Sequence, residues 1–514
     1  MSQANSRRRF LKSGAALSST GFVASLEALQ MRQAHAAQTG QSAPVASPYG
    51  PLVVAHDNAT GLPLLKLPEG FEYTTFGWTG DPMDNGMPTP SNHDGMGVIW
   101  AEQRGNDVDV VLVRNHERGG ASSQIMAPSR YDTSFTNTAG TQVAGGGTTN
   151  LVFRGRSFRG SYASLGGTLT NCAGGQTPWG TWLTCEETLT NLGEAGQPGK
   201  KHGYVFEVRK EPNATTGKPI VAKGRFSHEA VAVDPKTRYA YLTEDLRNAS
   251  GFYRFVPSDT SGTPGSYEKG GTLQMARIKG QPNADLIASS QGETYDLEWV
   301  TIADPDAGRV LVSAVTPTLN PVAGLTDIAT NAFISGPFAQ GWTAGGLRMS
   351  RGEGIWYHGG KVYIVDTATG FDAQARRGRG DGAVWELDLA TDRLRAIFVS
   401  TNILAGDNPD NITVSPRGGI LLCEDGDGAD DAFGFGMRLM GLTPQGESFI
   451  FCKNNVELNA TQVGAAGKLV AAGDYRDFEF CGACFDPSGK VLFVNIQSPG
   501  ITFAIWGPWA RGTL

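Results

Sequence analysis

A short pattern that returns along the chain constrains its fold more than any other feature. An acid or a cysteine opens an apolar strand, a turn containing Pro or Gly follows, and a second apolar strand ends in acids. One clear copy opens at Glu229, and its neighbour opens 57 residues earlier, at Cys172. Four short antiparallel strands with their loops need about that length. The repeat therefore predicts an all-β protein, a β-propeller of six or seven blades.

The propeller would gather acids that are far apart in the sequence. Inner strands of all blades line one central channel, so residues at equivalent points converge on its axis. Five copies open with Asp94, Cys172, Glu229, Glu353 and Asp410. The second strands lead to Glu117, to Glu186 and Glu187, and to Glu424 and Asp425. Each acid alone could cap a turn or pair with a surface Arg. As a set in one phase, they predict a metal site, because unneutralised carboxylates would repel each other.

The stretch 171–187 adds a thiol to these acids, with Cys172 at one end and Glu186 and Glu187 at the other. Carboxylates suit hard cations, and calcium tolerates irregular geometry. A thiolate does not suit calcium, so Cys172 predicts a second, softer or redox-capable ion, with iron and zinc as candidates. The chain has only seven His, which argues against a His-rich zinc site.

Arg351 precedes Glu353 by two residues and would share its face on an extended chain. A guanidinium beside clustered metals can bind an oxyanion such as phosphate through two hydrogen bonds. Metal ions together with Arg are what phosphoryl transfer requires. Arg351, Cys172 and Glu353 are therefore the candidate catalytic residues. The alternative for Arg351 is a salt bridge to a neighbouring acid.

The N-terminus predicts export. The residues 6–12 read Ser-Arg-Arg-Arg-Phe-Leu-Lys, a twin-arginine pattern, and 34–36 offer small residues for cleavage. We assign 1–36 to the signal peptide, 37–66 to an N-terminal extension and 67–514 to the propeller domain. The twin-arginine export machinery is then one partner, and the product is periplasmic or secreted.

Charge and hydropathy limit the other partners. The formal net charge is −7, and it becomes more negative once the basic signal is removed, which argues against binding nucleic acid. No apolar run is long enough to span a bilayer, so no stable membrane anchor is expected. Six cysteines in an exported chain allow disulfides, and Cys481 and Cys484 are close enough to pair or to pack together in a core.

These motifs together resemble the PhoX family of exported alkaline phosphatases over most of the chain from about 67 to 509. Besides the signal and 171–187, the resemblance rests on 114–117 (RNHE), 226–229 (FSHE), 351–354 (RGEG) and 423–426 (CEDG). It implies a six-bladed propeller whose channel mouth holds iron and calcium, and hydrolysis of phosphate monoesters. This chain is shorter than typical full-length members, which leaves its loops and substrate range open.

Carried over by residue, the resemblance implies that Cys172 binds iron, that Glu229 and Glu353 hold metal, and that Arg351 binds phosphate. It implies a calcium ligand in Glu424 or Asp425, and it leaves both Glu186 and Glu187 open. Two other functions compete with a phosphatase of small phosphate esters. One is a calcium-dependent propeller lactonase, which needs no thiolate, and the other is a non-catalytic calcium-binding propeller.

Overall fold

The computed structural model describes residues 43–105, 107–120, 122–134, 143–189 and 199–514. The signal peptide assigned to 1–36 lies outside the described residues. Within them, no helix combines the length and the apolar character needed to cross a bilayer.

The described chain forms six blades around a central channel. Each blade starts with an inner strand that contacts the inner strands of the blades before and after it, and the sixth contacts the first. The prediction of a six-bladed, all-β propeller is therefore confirmed. The inner strands are His93–Arg104, Asn171–Gln176, His228–Val233, Gly352–His358, Pro409–Val414 and Phe480–Phe485.

The remaining strands of each blade follow in antiparallel order away from the channel. Blade 1 adds Asp107–His116, Gly146–Arg154 and Ser157–Thr168. Blade 2 adds Trp182–Glu186 and Val205–Val208, and blade 3 adds Ala240–Glu244, Phe252–Pro257 and Gly271–Ile278. Blade 4 adds Lys361–Asp366, Ala383–Asp388 and Arg393–Val399. Blade 5 adds Ile420–Glu424, Arg438–Leu442 and Ser448–Asn454, and blade 6 adds Val491–Ile496 and Ile501–Trp506.

Strands from the start of the described chain complete the last two blades. Glu72–Phe76 pairs with Ile501–Trp506 and supplies the fourth strand of blade 6, which ties the two ends of the ring together. Leu65–Pro68 pairs with Ser448–Asn454, and Leu52–Ala55 pairs with Leu65–Pro68. Part of the segment 37–66, expected to be an extension, thus packs onto blade 5.

Other elements decorate the ring. Thr294–Thr301 pairs with the outer strands of blades 3 and 4 and joins them into a nine-stranded sheet within the described chain. Two α-helices occur in the described ranges, Gly336–Thr343 and Ala460–Ala465, each with a polar N-cap side chain that accepts a backbone hydrogen bond. Small hairpins pair Val310–Leu311 with Phe333–Ile334, Ala429–Asp431 with Gly434–Gly436, and Glu457–Leu458 with Gly473–Asp474. Single 3₁₀ turns lie at Pro212–Ala214, Val221–Lys223, Tyr267–Lys269, Val312–Ala314 and Trp509–Arg511.

The core lies between the blades, because the inner strands are covered on both faces over most of their length. Every residue of His228–Val233 is buried, and so is every residue of Pro409–Val414. Burying one Val or Leu side chain contributes about 1.5–3 kcal/mol, so packing between blades holds the ring closed. This packing fixes the inner strands on which the candidate site is built.

A β-bulge interrupts each described inner strand near the channel mouth. In blade 2 the register jumps between Asn171 and Gly174, so that Cys172 and Ala173 together face one residue of the next strand. Blades 1, 3, 4 and 5 show the same shift, and in blade 6 the shift lies one residue later, between Cys481 and Cys484. A bulge changes the direction of side chains and takes backbone groups out of the regular ladder. Its position at the mouth makes it part of the site's construction.

Candidate metal centre at the channel mouth

The second residue of each inner strand forms a ring at one end of the channel. These ring residues are all buried, and they are Asp94, Cys172, Glu229, Glu353, Asp410 and Cys481. The backbone closes tightly beneath them. A Cβ on Gly95 would lie 2.4 Å from the Cα atom of Ala173 in the next blade, which only glycine permits. The cavity under the ring measures about 20 Å³, which is roughly the room that one water molecule needs.

Among the described residues, three groups of three bring ligand atoms within 4.8 Å of one another. The thiol triad consists of Cys172, Glu187 and Glu229. The central triad consists of Glu229, Glu353 and Asp410. The carboxylate triad consists of Asp410, Asp425 and Glu479. Because neighbouring triads share a residue, the three form one arc that runs from a thiol to a purely oxygen-lined end.

Residues that follow the second strands supply the rest of the arc. Glu187 and Asp425 come directly after Trp182–Glu186 and Ile420–Glu424, and both belong to triads. Glu117 and Asp245 occupy the same place in blades 1 and 3. Burial, followed by the charges of Glu117 and Asp410, raises the pKa of Asp94 well above its usual range, which places Asp94 in the same acidic group as Glu117.

The sequence left open which member of each pair, Glu186 or Glu187 and Glu424 or Asp425, faces the arc, and the structure gives Glu186 and Glu424 partners inside their own blades. Glu186 accepts hydrogen bonds from the backbone N–H groups of Leu169, Gly203 and Tyr204. Glu424 accepts from Arg438, with Nε at 2.7 Å. Consecutive residues of a strand point to opposite faces, so only one acid of each doublet can reach the arc. Glu186 and Glu424 hold their own blades together instead.

Burial and mutual repulsion act on every acid of the arc. Burial, followed by the charges of neighbouring acids, raises the pKa of Glu229, Glu353, Glu187 and Glu479 well above the usual range. The pKa of Asp410 rises to about 6 and that of Asp425 to about 7, with burial as the first cause. Negative charge gathered here is costly unless cations balance it.

The thiol of Cys172 is subject to the same forces. Its Sγ donates to the carbonyl of His228 at 3.2 Å, which points it toward the first strand of blade 3. Burial, then Glu229 and Glu187, raises the pKa of the thiol. A thiolate would form here only beside a cation. Cys481 has the equivalent place in blade 6 and donates to His93, but it belongs to none of the three triads.

Arg351 stands beside the central triad as the positive group of the site. Its Nη2 lies 2.7 Å from Glu353 Oε1, and its Nε donates to Asp245 Oδ1 at 3.1 Å. The charge of Glu353 raises the pKa of Arg351 above its ordinary value, although burial opposes this. The backbone at Arg351 is left-handed, with a φ of 63°, and not extended as the sequence suggested. The side chain is 24% exposed, so Arg351 forms salt bridges and also borders the mouth.

Asp245 and Glu479 are the residues of this site that the sequence reasoning missed. Asp245 is the second acid of the Glu244–Asp245 doublet, so the alternation that selects Glu187 and Asp425 would have found it. Glu479 lies one residue before the inner strand of blade 6, next to a ring position held by Cys481. Glu479 does not occupy a position of the repeat, so the repeat did not predict it.

The cysteines carry no disulfide in the described structure. All six are buried and free, and Cys481 and Cys484 are packed within one inner strand. Of the two possibilities for this pair, packing in a core is the one found.

Similarity to known proteins agrees with this architecture. A family model described as alkaline phosphatase PhoX matches residues 47–500. The structure of Pseudomonas fluorescens PhoX in complex with vanadate, a transition state analogue, aligns with TM-score 0.58 and 17% identity, covering 92% of this chain and 99% of that one. A gluconolactonase from Xanthomonas campestris aligns with TM-score 0.31 and 9% identity over 81% of this chain and 98% of its own. No curated protein sequence matches the chain.

Proposed function

Because the chain belongs to the PhoX family of alkaline phosphatases and is a phosphatase, we propose that it hydrolyses small phosphate monoesters at its channel mouth, with iron and calcium as cofactors. The observation that carries the proposal is the arc of three triads with Arg351 at its middle. An arc of acids alone would repel an anionic substrate, so cations are needed before a phosphate ester can bind.

The donor atoms fit two kinds of cation. The thiol triad offers one sulfur and two carboxylates, a set that suits iron. The carboxylate triad offers only oxygens, a set that suits calcium. The central triad shares Glu229 with one and Asp410 with the other, so charge at either end affects it. Asp94 and Glu117 lie in the same acidic group and would complete the oxygen ligands.

When bound, the metal ions supply positive charge that neutralises the carboxylates and offsets charge developing on the phosphoryl oxygens. Arg351 would bind two phosphoryl oxygens, since a guanidinium matches the geometry of an oxyanion. Asp245 and Glu353 hold the guanidinium from two sides and fix its direction. The backbones of neighbouring blades pack closely beneath the ring, so the ester would enter and the products would leave at the mouth.

The structure of the Pseudomonas fluorescens relative supports a phosphatase function for this fold. Its structure contains vanadate, which is described there as a transition state analogue. We propose that the transferred phosphoryl group of this chain's substrate binds beside Arg351 in the same propeller fold.

Hydrolysis of a chromogenic phosphate ester at alkaline pH, together with elemental analysis, tests the proposal. We expect iron and calcium in the purified protein and loss of turnover on chelation. Arg351→Ala should lower kcat by about 100- to 1000-fold, the usual effect of removing one preorganised donor. Arg376→Ala is the control, because Arg376 is exposed and pairs with Asp372 outside the arc. Full turnover without metals, or equal effects of the two variants, would reject the proposal.

Metal content also separates the competing functions. A calcium-dependent lactonase or a non-catalytic calcium-binding propeller has no use for the thiol of Cys172. If the purified protein holds calcium but no transition metal, one of these two functions is favoured, whether or not the protein is active. The match to a phosphatase family over 47–500 favours hydrolysis of phosphate esters over both of these alternatives.

Export through the twin-arginine machinery to the periplasm or the medium is part of the same proposal. The observation behind it is the Arg7–Arg8 pair within the pattern at 6–12. Replacing both arginines with Lys should keep the protein in the cytoplasm, as measured by cell fractionation. Unchanged export of that variant would show that another route is used.

A further inference from the structure

The side-chain amide of Asn115 is fully buried, and it makes its four hydrogen bonds with residues of the neighbouring blade. It lies in the second strand of blade 1. Its Nδ2 donates to the carbonyl of Cys172 at 3.1 Å and to that of Ala173 at 2.6 Å. Its Oδ1 accepts from Trp182 Nε1 at 3.0 Å and from Thr184 Oγ1 at 2.9 Å. An Asn side chain has two donors and two acceptor sites, and all four are used here.

The chemistry of these partners fixes the orientation of the amide. An indole N–H can only donate and a backbone carbonyl can only accept. The oxygen of Asn115 must therefore face Trp182, and its nitrogen must face Cys172 and Ala173. An aspartate in the same place would put a negative oxygen against two carbonyl oxygens.

The two carbonyls belong to the bulge that presents the thiol. Cys172 and Ala173 lie between the register positions of Asn171 and Gly174, where the ladder to the next strand is interrupted. Asn115 supplies hydrogen bonds that the ladder does not. The bulged backbone is thereby held in one conformation, and the direction of the Cys172 side chain follows from that backbone.

The same device occurs at other blade junctions. Asn495 of blade 6 donates to the carbonyl of Asp94 in blade 1 at 2.7 Å. Thr243 of blade 3 donates to the carbonyl of Glu353 in blade 4. In each case a polar side chain on a second strand holds the backbone of a ring residue in the next blade. A contact that recurs at ring residues is tied to the ring and not to one local loop.

We infer that Asn115 is a positioning residue for Cys172, which fixes the bulge so that Sγ lies within reach of Glu187 and Glu229. The inference rests on the proposed function, in which Cys172 binds a transition metal. Residues that orient metal ligands typically change metal affinity by about 10- to 100-fold when they are altered. The effect of Asn115 should therefore appear in the metal content of the thiol triad before it appears anywhere else.

Asn115→Asp tests the inference with almost no change of shape. The full-length protein is reloaded with Fe²⁺ and Ca²⁺, and the metal content per folded molecule is measured by elemental analysis. We expect transition-metal content to fall at least about tenfold at limiting Fe²⁺, with calcium retained, because the carboxylate triad is built on blades 5 and 6.

Asn150→Asp is the matched control. Asn150 is a buried Asn of the same blade whose Nδ2 also donates to two carbonyls, those of Arg209 at 3.1 Å and Lys210 at 3.2 Å. Neither partner belongs to the arc, so this variant should lose thermal stability and keep its iron. Equal iron content in the two variants would overturn the inference.

A second variant covers the case in which Asn115→Asp does not fold. Asn115→Ser is smaller and neutral, and it should fold with reduced iron content. Folded Asn115→Ser with the full iron content of the unaltered protein would also overturn the inference. If the unaltered protein itself binds no transition metal, the proposed metal role of Cys172 fails, which is a different result from iron that persists after Asn115 is changed.

Discussion

The two ends of the acid arc share two strand positions and differ in the ligand atom that the ring residue offers. The thiol triad takes a ring residue and the residue after the second strand from blade 2, and a third residue from blade 3. The carboxylate triad takes the same two positions from blade 5, and a third residue from blade 6. The ring residue is Cys172 at one end and Asp410 at the other. One side chain on a shared scaffold therefore decides whether an end suits a soft or a hard cation.

The two ends also show that a blade keeps the same backbone arrangement whether its ring residue is a cysteine or an aspartate. Both ring residues lie in bulged strands. In both triads the second acid of an acidic doublet faces the arc, while the first acid makes hydrogen bonds inside its own blade. Metal chemistry can then change at one position without disturbing the blade. The following experiments test that separation, from the largest expected effect to the smallest.

Cys172→Asp should make the thiol end chemically equal to the carboxylate end. We expect loss of the transition metal, retention of calcium and a fall in phosphatase activity of more than about 100-fold, since even residues behind the ligands have effects of that order. Elemental analysis and ester hydrolysis measure both results. Cys481→Ser is the control, because Cys481 has the same strand position outside the triads and should keep iron and most activity. Active, iron-loaded Cys172→Asp would contradict the comparison.

Glu479→Gln should weaken only the carboxylate end. It removes one charged oxygen from the carboxylate triad, and on the proposed function we expect calcium affinity to fall about 10- to 100-fold while iron is retained. Activity should return when the calcium concentration is raised, which titration of turnover against calcium would show. Loss of iron in this variant would mean that the two ends are not independent.

Glu187→Gln and Glu186→Gln should separate the two members of one doublet. Glu187 faces Cys172 and Glu229, so Glu187→Gln should lower iron content and activity with a small effect on stability. Glu186 accepts backbone hydrogen bonds inside blade 2, so Glu186→Gln should lower the free energy of unfolding by about 1–3 kcal/mol and keep iron. Denaturant unfolding and elemental analysis distinguish them. If instead Glu186→Gln loses iron and Glu187→Gln loses stability, then Glu186 is the residue that faces the arc.

His202 offers the smallest effect, a pH-dependent one. Burial alone would lower the pKa of His202, but the Glu186 and Asp132 carboxylates beside it raise the value to about 9. Protonated His202 thus stabilises the fold fully below the ordinary His value near 6.5, and this contribution is lost as pH rises through about 9. His202→Gln should lower the melting temperature at pH 6, and its difference from the unaltered protein should shrink by pH 10. A constant difference across this range would show that His202 is neutral throughout.

Particular residues show how far sequence reasoning reached. The ring residues from Asp94 to Asp410 share one phase of a repeat, and a repeat of that period is a property of the chain alone. The placement of Arg351 near Glu353 was also expected, because the two are neighbours in sequence. Cys172 and Glu229 lie in neighbouring blades, and the propeller brings them together as the repeat implied.

Other parts of the site could not be obtained in this way. Glu479 sits just before its inner strand, and no residue pattern reveals that the chain brings it to Asp410 and Asp425. The choice between Glu186 and Glu187 depends on the residue at which a strand stops, which is set by backbone pairing with Tyr204 and the blade around it. The role of Asn115 could not be predicted from the sequence, because its hydrogen-bond partners lie in another blade.

The sequence by itself determined the propeller and most of the ring, because periodic hydrophobicity and periodic acids are local properties that any inner strand must express. Only the tertiary structure decided which acid of each doublet turns toward the arc, which residues outside the repeat join it, and which amide holds the bulge at Cys172. Those outcomes depend on where strands end and on which backbone groups are left without partners, and both are settled by contacts between blades.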